Sequence, residues 1–396
     1  MSEWGNAVFG DLLTEPVRNG IYKQKEFHGR GAKIVNMGEL FAYPRLKNVD
    51  MKLVELTEAE KKKCLLKEGD LIFARRSLTA EGAGKCSIVK EVVEETTFES
   101  SIIRARPNHE KSSSDFLYYY FNSPYGKYLL GTILRQVAVS GITGADLMEL
   151  VLKMPNLPEQ NSIATVLSSL DDKIDLLHRQ NKTLEAIAAT LFRQWFVEDA
   201  QEGWEERPLS STANFLNGLA CQKYPPKNEL EKLPVLKIRE LSSGISEAPD
   251  WATSDVKPEY IVEAGDVIFA WSASLMVKVW DGERCVLNQH LFKVTSTEFP
   301  KWFYLMWCKH HLAEFISISS SHATTMGHIK RGDLDTAMVN VPSPIELKAM
   351  SEKMTPFLDK QITNAKQLRL LENLRDTLLP KLMSGEVRVD YEGMAS

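Results

Sequence analysis

Long apolar runs, paired cysteines and an excess of positive charge are all missing from this sequence of 396 residues. No stretch approaches the ~18–20 consecutive apolar residues of a membrane-spanning helix. The opening Met1-Ser2-Glu3-Trp4-Gly5 lacks the basic and apolar regions of a signal peptide. Five cysteines (Cys64, Cys86, Cys221, Cys285, Cys308) are scattered, with no pair at metal-ligand spacing. An odd, dispersed set reads as reduced thiols in a cytosol, so a cytoplasmic protein is expected. With 48 basic and 53 acidic residues the net charge is -5. That excludes the usual basic, nonspecific nucleic-acid binder, so any DNA contact must come from local patches. Apolar residues at 43% and charged residues at 26% are what a globular chain needs to bury real cores. The length fits two or three domains.

What the chain does have is an internal repeat. Gly69-Asp70-Leu71-Ile72-Phe73-Ala74 returns as Gly265-Asp266-Val267-Ile268-Phe269-Ala270, each a turn before a buried strand. An aromatic helix candidate follows each copy, Asp115-Phe116-Leu117-Tyr118-Tyr119-Tyr120 and Lys301-Trp302-Phe303-Tyr304-Leu305. Asp146-Leu147 with Met154-Pro155, and Asp333-Leu334 with Val341-Pro342, come next. Features recurring in one order at nearly one offset indicate a tandem duplication: a globular half, a long helix, then both again.

After Pro158-Glu159-Gln160 the apolar positions are Ile163, Leu167, Leu170, Ile174, Leu177, Asn181, Leu184, Ala188, Leu191 and Trp195. Steps of four and three alternate throughout, the 3.5-residue period of a coiled coil. Asn181 is the polar interruption at an a position, a device that fixes register at some cost in stability. The second copy runs Met350, Met354, Phe357, Gln361, Asn364, Leu368, Leu371, Arg375, Leu378, Leu382 and is more polar. Pro356 is expected to end or kink its first turns, and Pro380 to disturb its last. The simplest arrangement pairs the two helices with each other; the alternative packs each on its own globular half.

Leu184-Glu185-Ala186-Ile187-Ala188 and Leu191-Phe192-Arg193-Gln194-Trp195-Phe196, after Pro158-Glu159-Gln160, resemble the central spacer of type I restriction–modification specificity subunits. Leu378-Leu379-Pro380-Lys381-Leu382-Met383-Ser384-Gly385-Glu386-Val387 resembles that family's distal spacer. The resemblance implies an α+β fold of two pseudo-symmetric mixed α/β target-recognition domains, separated by two long helices forming an antiparallel coiled coil. The domains would span 1–155 and 200–342, with the central spacer at 156–199 and the distal spacer at 343–391. The resemblance also implies a subunit without catalytic activity, each of whose recognition domains reads one half of a bipartite double-stranded DNA target from the major groove. The paired helices would set the gap and dock two modification (methyltransferase) subunits, which restriction subunits then join. Any S-adenosylmethionine, ATP or magnesium would sit in those partners, leaving this chain without a cofactor.

Motifs for chemistry of the chain's own are incomplete. Gly82-Ala83-Gly84-Lys85-Cys86 suggests a phosphate loop, but the required first glycine falls at Thr79 and the hydroxyl position is Cys86. No Asn/Asp-Pro-Pro-Tyr/Phe run exists to hold a flipped adenine, and no Gly-rich strand–helix turn to bind a nucleotide cofactor. His310-His311 lacks accompanying metal ligands, so no metal site is expected. Ser317 to Ser321 reads as a polar loop. For DNA, strand Leu71–Ala74 runs into Arg75-Arg76, with Lys85 beyond, and its repeat runs into Trp271-Ser272, with Lys278 beyond. Arginine suits bidentate contact with guanine and phosphate, and loops at strand ends commonly display such groups. Lys330-Arg331, and Arg104 and Arg106 on a strand edge, are weaker phosphate candidates, and Lys61-Lys62-Lys63 reads as a solvated face. Two other classes stay open: a coiled-coil adaptor, and an enzyme with an unrecognised site.

Overall fold

The computed structural model describes residues 4–77, 79, 82–135, 140–321 and 327–389. The chain divides into two compact units, Met1–Asp172 with Glu372–Ser396, and Lys173–Leu371. Among the described residues no helix is long and apolar enough to cross a membrane.

Unit 1 contains β1 (Gly5–Val8), β2 (Leu13–Asn19), β3 (His28–Val35), β4 (Arg45–Leu46), β5 (Lys52–Val54) and β6 (Leu71–Ala74). Then come β7 (Arg76–Ser77), β8 (Cys86–Val89), β9 (Thr96–Phe98), β10 (Ile102–Pro107), β11 (Ser140–Gly141) and β12 (Val151–Met154). The larger sheet has the order β2-β10-β6-β8-β4, the smaller β5-β3-β9, and β1–β12 and β7–β11 pair separately. Helix α1 (Ser114–Asn122), capped by the Ser113 hydroxyl, brings its aromatic run into the core. Phe121 meets Phe9 and Phe73 edge to face at 5.0 and 5.1 Å.

The repeated Gly-Asp turn has a local cause. Gly69 sits at φ 84°, a left-handed conformation that glycine adopts without penalty. Its N–H donates to the Val89 carbonyl at 2.8 Å. The Asp70 carboxylate accepts from the Lys67 N–H and from Arg106, at 2.8 and 2.7 Å. Arg104 and Arg106, expected on a strand edge, lie instead on β10 between β2 and β6. Arg104 is 1% exposed, and both guanidinium groups bond Glu15. Charged residues had suggested an edge, but here their charges are paired inside the unit, so neither is available to phosphate.

The second unit repeats this plan with β13 (Glu205–Pro208), β14 (Asn214–Asn217), β15 (Lys232–Leu236), β16 (Trp251–Thr253) and β17 (Ile261–Val262). Next come β18 (Val267–Ala270), β19 (Met276–Val279), β20 (Cys285–Leu287), β21 (Leu291–Thr295) and β22 (Met338–Val341). The order β14-β21-β18-β19 reproduces β2-β10-β6-β8, and the β13–β22 pair reproduces β1–β12. Parallel β15–β20 likewise matches parallel β3–β9. Gly265, at φ 105°, donates to the Trp280 carbonyl at 2.7 Å, and Asp266 pairs with Lys293 at 2.8 Å. Ser317 to Ser321, expected as a loop, fall in the helix Leu312–Ser321; Phe315, in its first turns, is buried in the unit's core.

Two long helices run through both units, α2 (Leu157–Arg193) and α4 (Pro344–Ser384), with α3 (Lys301–His310) as the aromatic helix of unit 2. The start of α2 lies before Ile163 because Asn156 caps the Glu159 N–H at 3.0 Å. Trp195 falls in a π turn, Gln194–Glu198, beyond its end. Each unit ties a tryptophan to the start of a long helix: Trp4 donates to Glu159 at 3.4 Å and Trp204 to Glu346 at 3.1 Å.

The expected seam is the buried face, and within each unit the helices pair antiparallel. In unit 1, Ile163 and Leu167 share a core with Leu382, and Leu378 packs against it. Arg375 bonds Asp171 at 3.0 Å and Arg388 bonds Glu159 at 2.8 Å. In unit 2, Ile174 and Leu177 pack with Leu368 and Leu371. Asn181 meets Asn364 at 2.9 Å and the Gln361 carbonyl at 3.3 Å. Leu170, Leu184 and Leu191 are half-buried. Neither Pro356 nor Pro380 breaks α4. Both are exposed, as are Glu352 and Asp376 four residues earlier, whose freed carbonyls can turn to water.

Candidate nucleic-acid interface

In each unit three neighbouring strands meet at one end of the larger sheet. In unit 1, β2 ends at Asn19 and β6 at Ala74, while β10 begins at Ile102; Ile102 faces Ala74 and Ile103 faces Asn19. Gly20 then donates to the Ile102 carbonyl at 3.0 Å and Ile21 to that of Phe98 at 2.9 Å. A Cβ at Gly20 would lie 2.2 Å from the Phe98 and Glu99 carbonyl oxygens, so no side chain fits there. Unit 2 repeats the arrangement. Gly218 donates to Leu291 at 3.1 Å and Leu219 to Leu287 at 2.9 Å, and a Cβ at Gly218 would lie 2.2 Å from the Asn288 oxygen. The matched Asn19-Gly20-Ile21 and Asn217-Gly218-Leu219 give no sign of this role in the sequence, where an Asn-Gly pair reads as an ordinary turn.

The side chains on this shared frame differ. Arg75 is half-buried, and its guanidinium donates to the Ser100 carbonyl at 3.2 Å. Arg76 is exposed on β7, opposite Gly141, with no side-chain partner among the described residues. Arg135, which the sequence did not single out, joins the same ladder end through two backbone bonds with Gly141, at 2.9 and 3.1 Å. Its side chain pairs with Asp146 at 2.8 Å. Lys85 directly precedes β8 and its carbonyl accepts from the Ala74 N–H at 2.9 Å, but its ammonium lies 4.9 Å over the Phe41 ring and bonds the Phe41 carbonyl at 3.1 Å. Burial, with Lys127 nearby, holds it below the usual lysine range.

In unit 2 the ring of Trp271 stacks on Phe292 at 5.7 Å, flanked by His290 and His328 at 5.9 and 6.3 Å. Its indole N–H donates to Asn217 at 3.2 Å. Ser272 is buried, its hydroxyl 3.2 Å from His290 Nδ1. Lys330 and Arg331 are exposed at the start of the helix Arg331–Thr336, and Arg331 bonds the Phe215 carbonyl at 3.3 Å. Lys278 does not join them. It points to the long helices, lining a cavity with Asn181, Glu185 and Gln361. Its position on β19, in register with Ile268 rather than with the strand end, puts it there. The structure thus gathers Arg75 and Arg76 in one unit and Trp271, Ser272 and Arg331 in the other, and sets Lys278 apart.

His311 pairs with Glu314 and bonds the Met338 carbonyl at 2.9 Å, and burial holds its neighbour His310 below the usual imidazole range. Burial pushes the Cys221 thiol up to about 11. Among the described residues no group of three or more His, Cys, Asp or Glu is placed to hold a metal ion.

These features define a tandemly duplicated α+β protein whose two copies carry unlike side chains on the same open sheet end and are threaded by paired long helices. The chain belongs to the type I restriction modification DNA specificity domain family, whose model matches residues 1–186 and 201–373. It is 26% identical over 302 residues to the type I restriction enzyme MjaIX specificity subunit of Methanocaldococcus jannaschii, covering 70% of each chain. To the putative MjaX specificity subunit of the same organism it is 22% identical over 413 residues, 98% of this chain and 94% of that one. Its fold matches the crystal structure of a type I restriction–modification S subunit from M. genitalium, with a TM-score of 0.65 at 14% identity over 96% of both chains.

Proposed function

We propose that this chain is the DNA sequence-recognition subunit of a type I restriction–modification enzyme, each unit reading one half of a bipartite double-stranded target. One observation carries the reading: a single backbone frame, fixed by Gly20 and by Gly218, carries Arg75 and Arg76 at its end in one unit and Trp271 in the other. A constant frame with variable side chains is what two different half-sites require. The paired helices set the gap between the half-sites and dock two modification subunits, which methylate DNA, and ATP-driven restriction subunits join that complex. The chain itself works in the cytoplasm without catalysis or a bound cofactor; S-adenosylmethionine, ATP and magnesium belong to its partners.

A net charge of -5 supplies little of the counterion release that dominates DNA affinity, so tight binding waits for the modification subunits. The test is a footprint of this chain assembled with its modification subunit on genomic DNA. Two protected base blocks separated by unread pairs support the proposal; one continuous block sinks it.

A further inference from the structure

Ala273 is the one non-glycine residue at positive φ among the described residues, at 57°. It lies two positions past Trp271, where the strand end leaves the larger sheet. Its N–H donates to the Gly327 carbonyl at 2.8 Å, and the preceding Ser272 bridges His328 and bonds His290. The turn is therefore held from both sides. Glycine would take this conformation without strain, whereas a Cβ makes it costly. The methyl group is also exposed, so it gains nothing by packing inside the protein. A strained residue kept at an exposed loop position points to a contact made with something outside the chain.

The chemistry of the patch narrows that contact. Its neighbours in the turn are the half-buried Trp271, the buried Ser272 and the exposed Ser274. In the matching segment of unit 1, residues 75–77, the exposed side chain is the guanidinium of Arg76, which takes the place of Ser272. Of the base edges in the major groove, thymine alone carries an apolar group, its 5-methyl; guanine offers two acceptors suited to arginine. We infer that the turn Trp271–Ala273 selects a thymine in the half-site of unit 2 by contact between its apolar groups and the 5-methyl. This rests on the proposal that each unit reads one half-site.

The test uses the chain assembled with its modification subunit, on duplexes carrying the mapped target. Thymines of each half-site are replaced singly by deoxyuridine, which removes the methyl and nothing else. One replacement in one half-site should weaken wild-type binding roughly four-fold, the worth of one buried methyl group. Ala273→Gly should bind the thymine and uracil duplexes equally while unfolding at or above the wild-type temperature, since its strain is relieved. Retention of the preference by Ala273→Gly, or indifference of the wild type to every replacement, overturns the inference. A target without two separated parts would instead overturn the half-site reading beneath it.

Discussion

Arg375→Ala should be among the more damaging single changes in unit 1. The Asp171 side chain is 10% exposed and pairs with the Arg375 guanidinium at 3.0 Å, while the Tyr119 hydroxyl donates to its other oxygen at 2.7 Å. Burial, then the charge of Asp171, pushes the Tyr119 hydroxyl far above the usual tyrosine range, so it stays a donor. Without the guanidinium, Asp171 is a nearly buried carboxylate with one donor. Stripping one partner from a fully buried pair costs ~3–5 kcal/mol. Arg375 is itself 29% exposed, and water reaching the vacated space should reduce the loss to about 2 kcal/mol. The repeat supplies the control. Unit 2 has Met306, Leu358 and Ala188 at the places of Tyr119, Asp171 and Arg375, and these line an apolar cavity of about 340 Å³. The triple variant Tyr119→Met, Asp171→Leu, Arg375→Ala should therefore be more stable than Arg375→Ala alone, because no charge is left stranded. Urea unfolding of the full chain measures both. A single variant within about 0.5 kcal/mol of wild type, or a triple variant worse than the single, refutes this account.

Three further outcomes follow from other parts of the frame. Gly20→Ala places a methyl within 2.2 Å of two backbone oxygens and should cost more than about 2 kcal/mol, read as a lower melting temperature; an unchanged temperature would mean the approach is not rigid. In the helix seam Asn364 is fully buried with Oδ1 lacking a partner. Asn181→Leu with Asn364→Leu should accordingly exceed the stability of either single variant by roughly 1–3 kcal/mol, and a double variant weaker than both singles would contradict it. Burial works to raise the Glu15 carboxyl, but Arg104, Arg18 and Arg106 outweigh it and hold the group below its ordinary value of 4.5. The folded state thus binds this proton less readily than the unfolded chain, so the contribution is complete above that value and fades as pH falls through the lowered one. Glu15→Gln should flatten the acid side of the stability curve by on the order of 1 kcal/mol, and an unchanged acid limb would count against the network.

The duplication, both long helices and their seam were legible because each rests on a local rule: a Gly-Asp turn, an aromatic run, a heptad step. Tertiary context decided the rest. Arg104 and Arg106 looked like edge residues since charge predicts exposure, yet Glu15 and Asp70 on neighbouring segments neutralise them inside the unit. Pro356 looked like a helix breaker, but its harm depends on which face it occupies, and that face is solvent. Lys278 lies a short way beyond Trp271 in sequence, whereas β19 register turns it toward the helices. Ala273 left no trace at all, because a backbone angle is invisible in a residue name.

The central claim is that two reading units share one chain and that the paired helices set their spacing along DNA. Adenine methylation mapped across the genome of a host expressing this chain with its modification subunit tests it most directly. The comparison is a variant lengthened by four residues in both α2 and α4, beside Asn181 and Asn364. Four residues add ~6 Å of helix, against 3.4 Å per base pair. The account predicts a bipartite motif whose gap grows by one or two pairs while both half-sites keep their sequences. An active variant with an unchanged gap, or a wild-type motif without a gap, contradicts it.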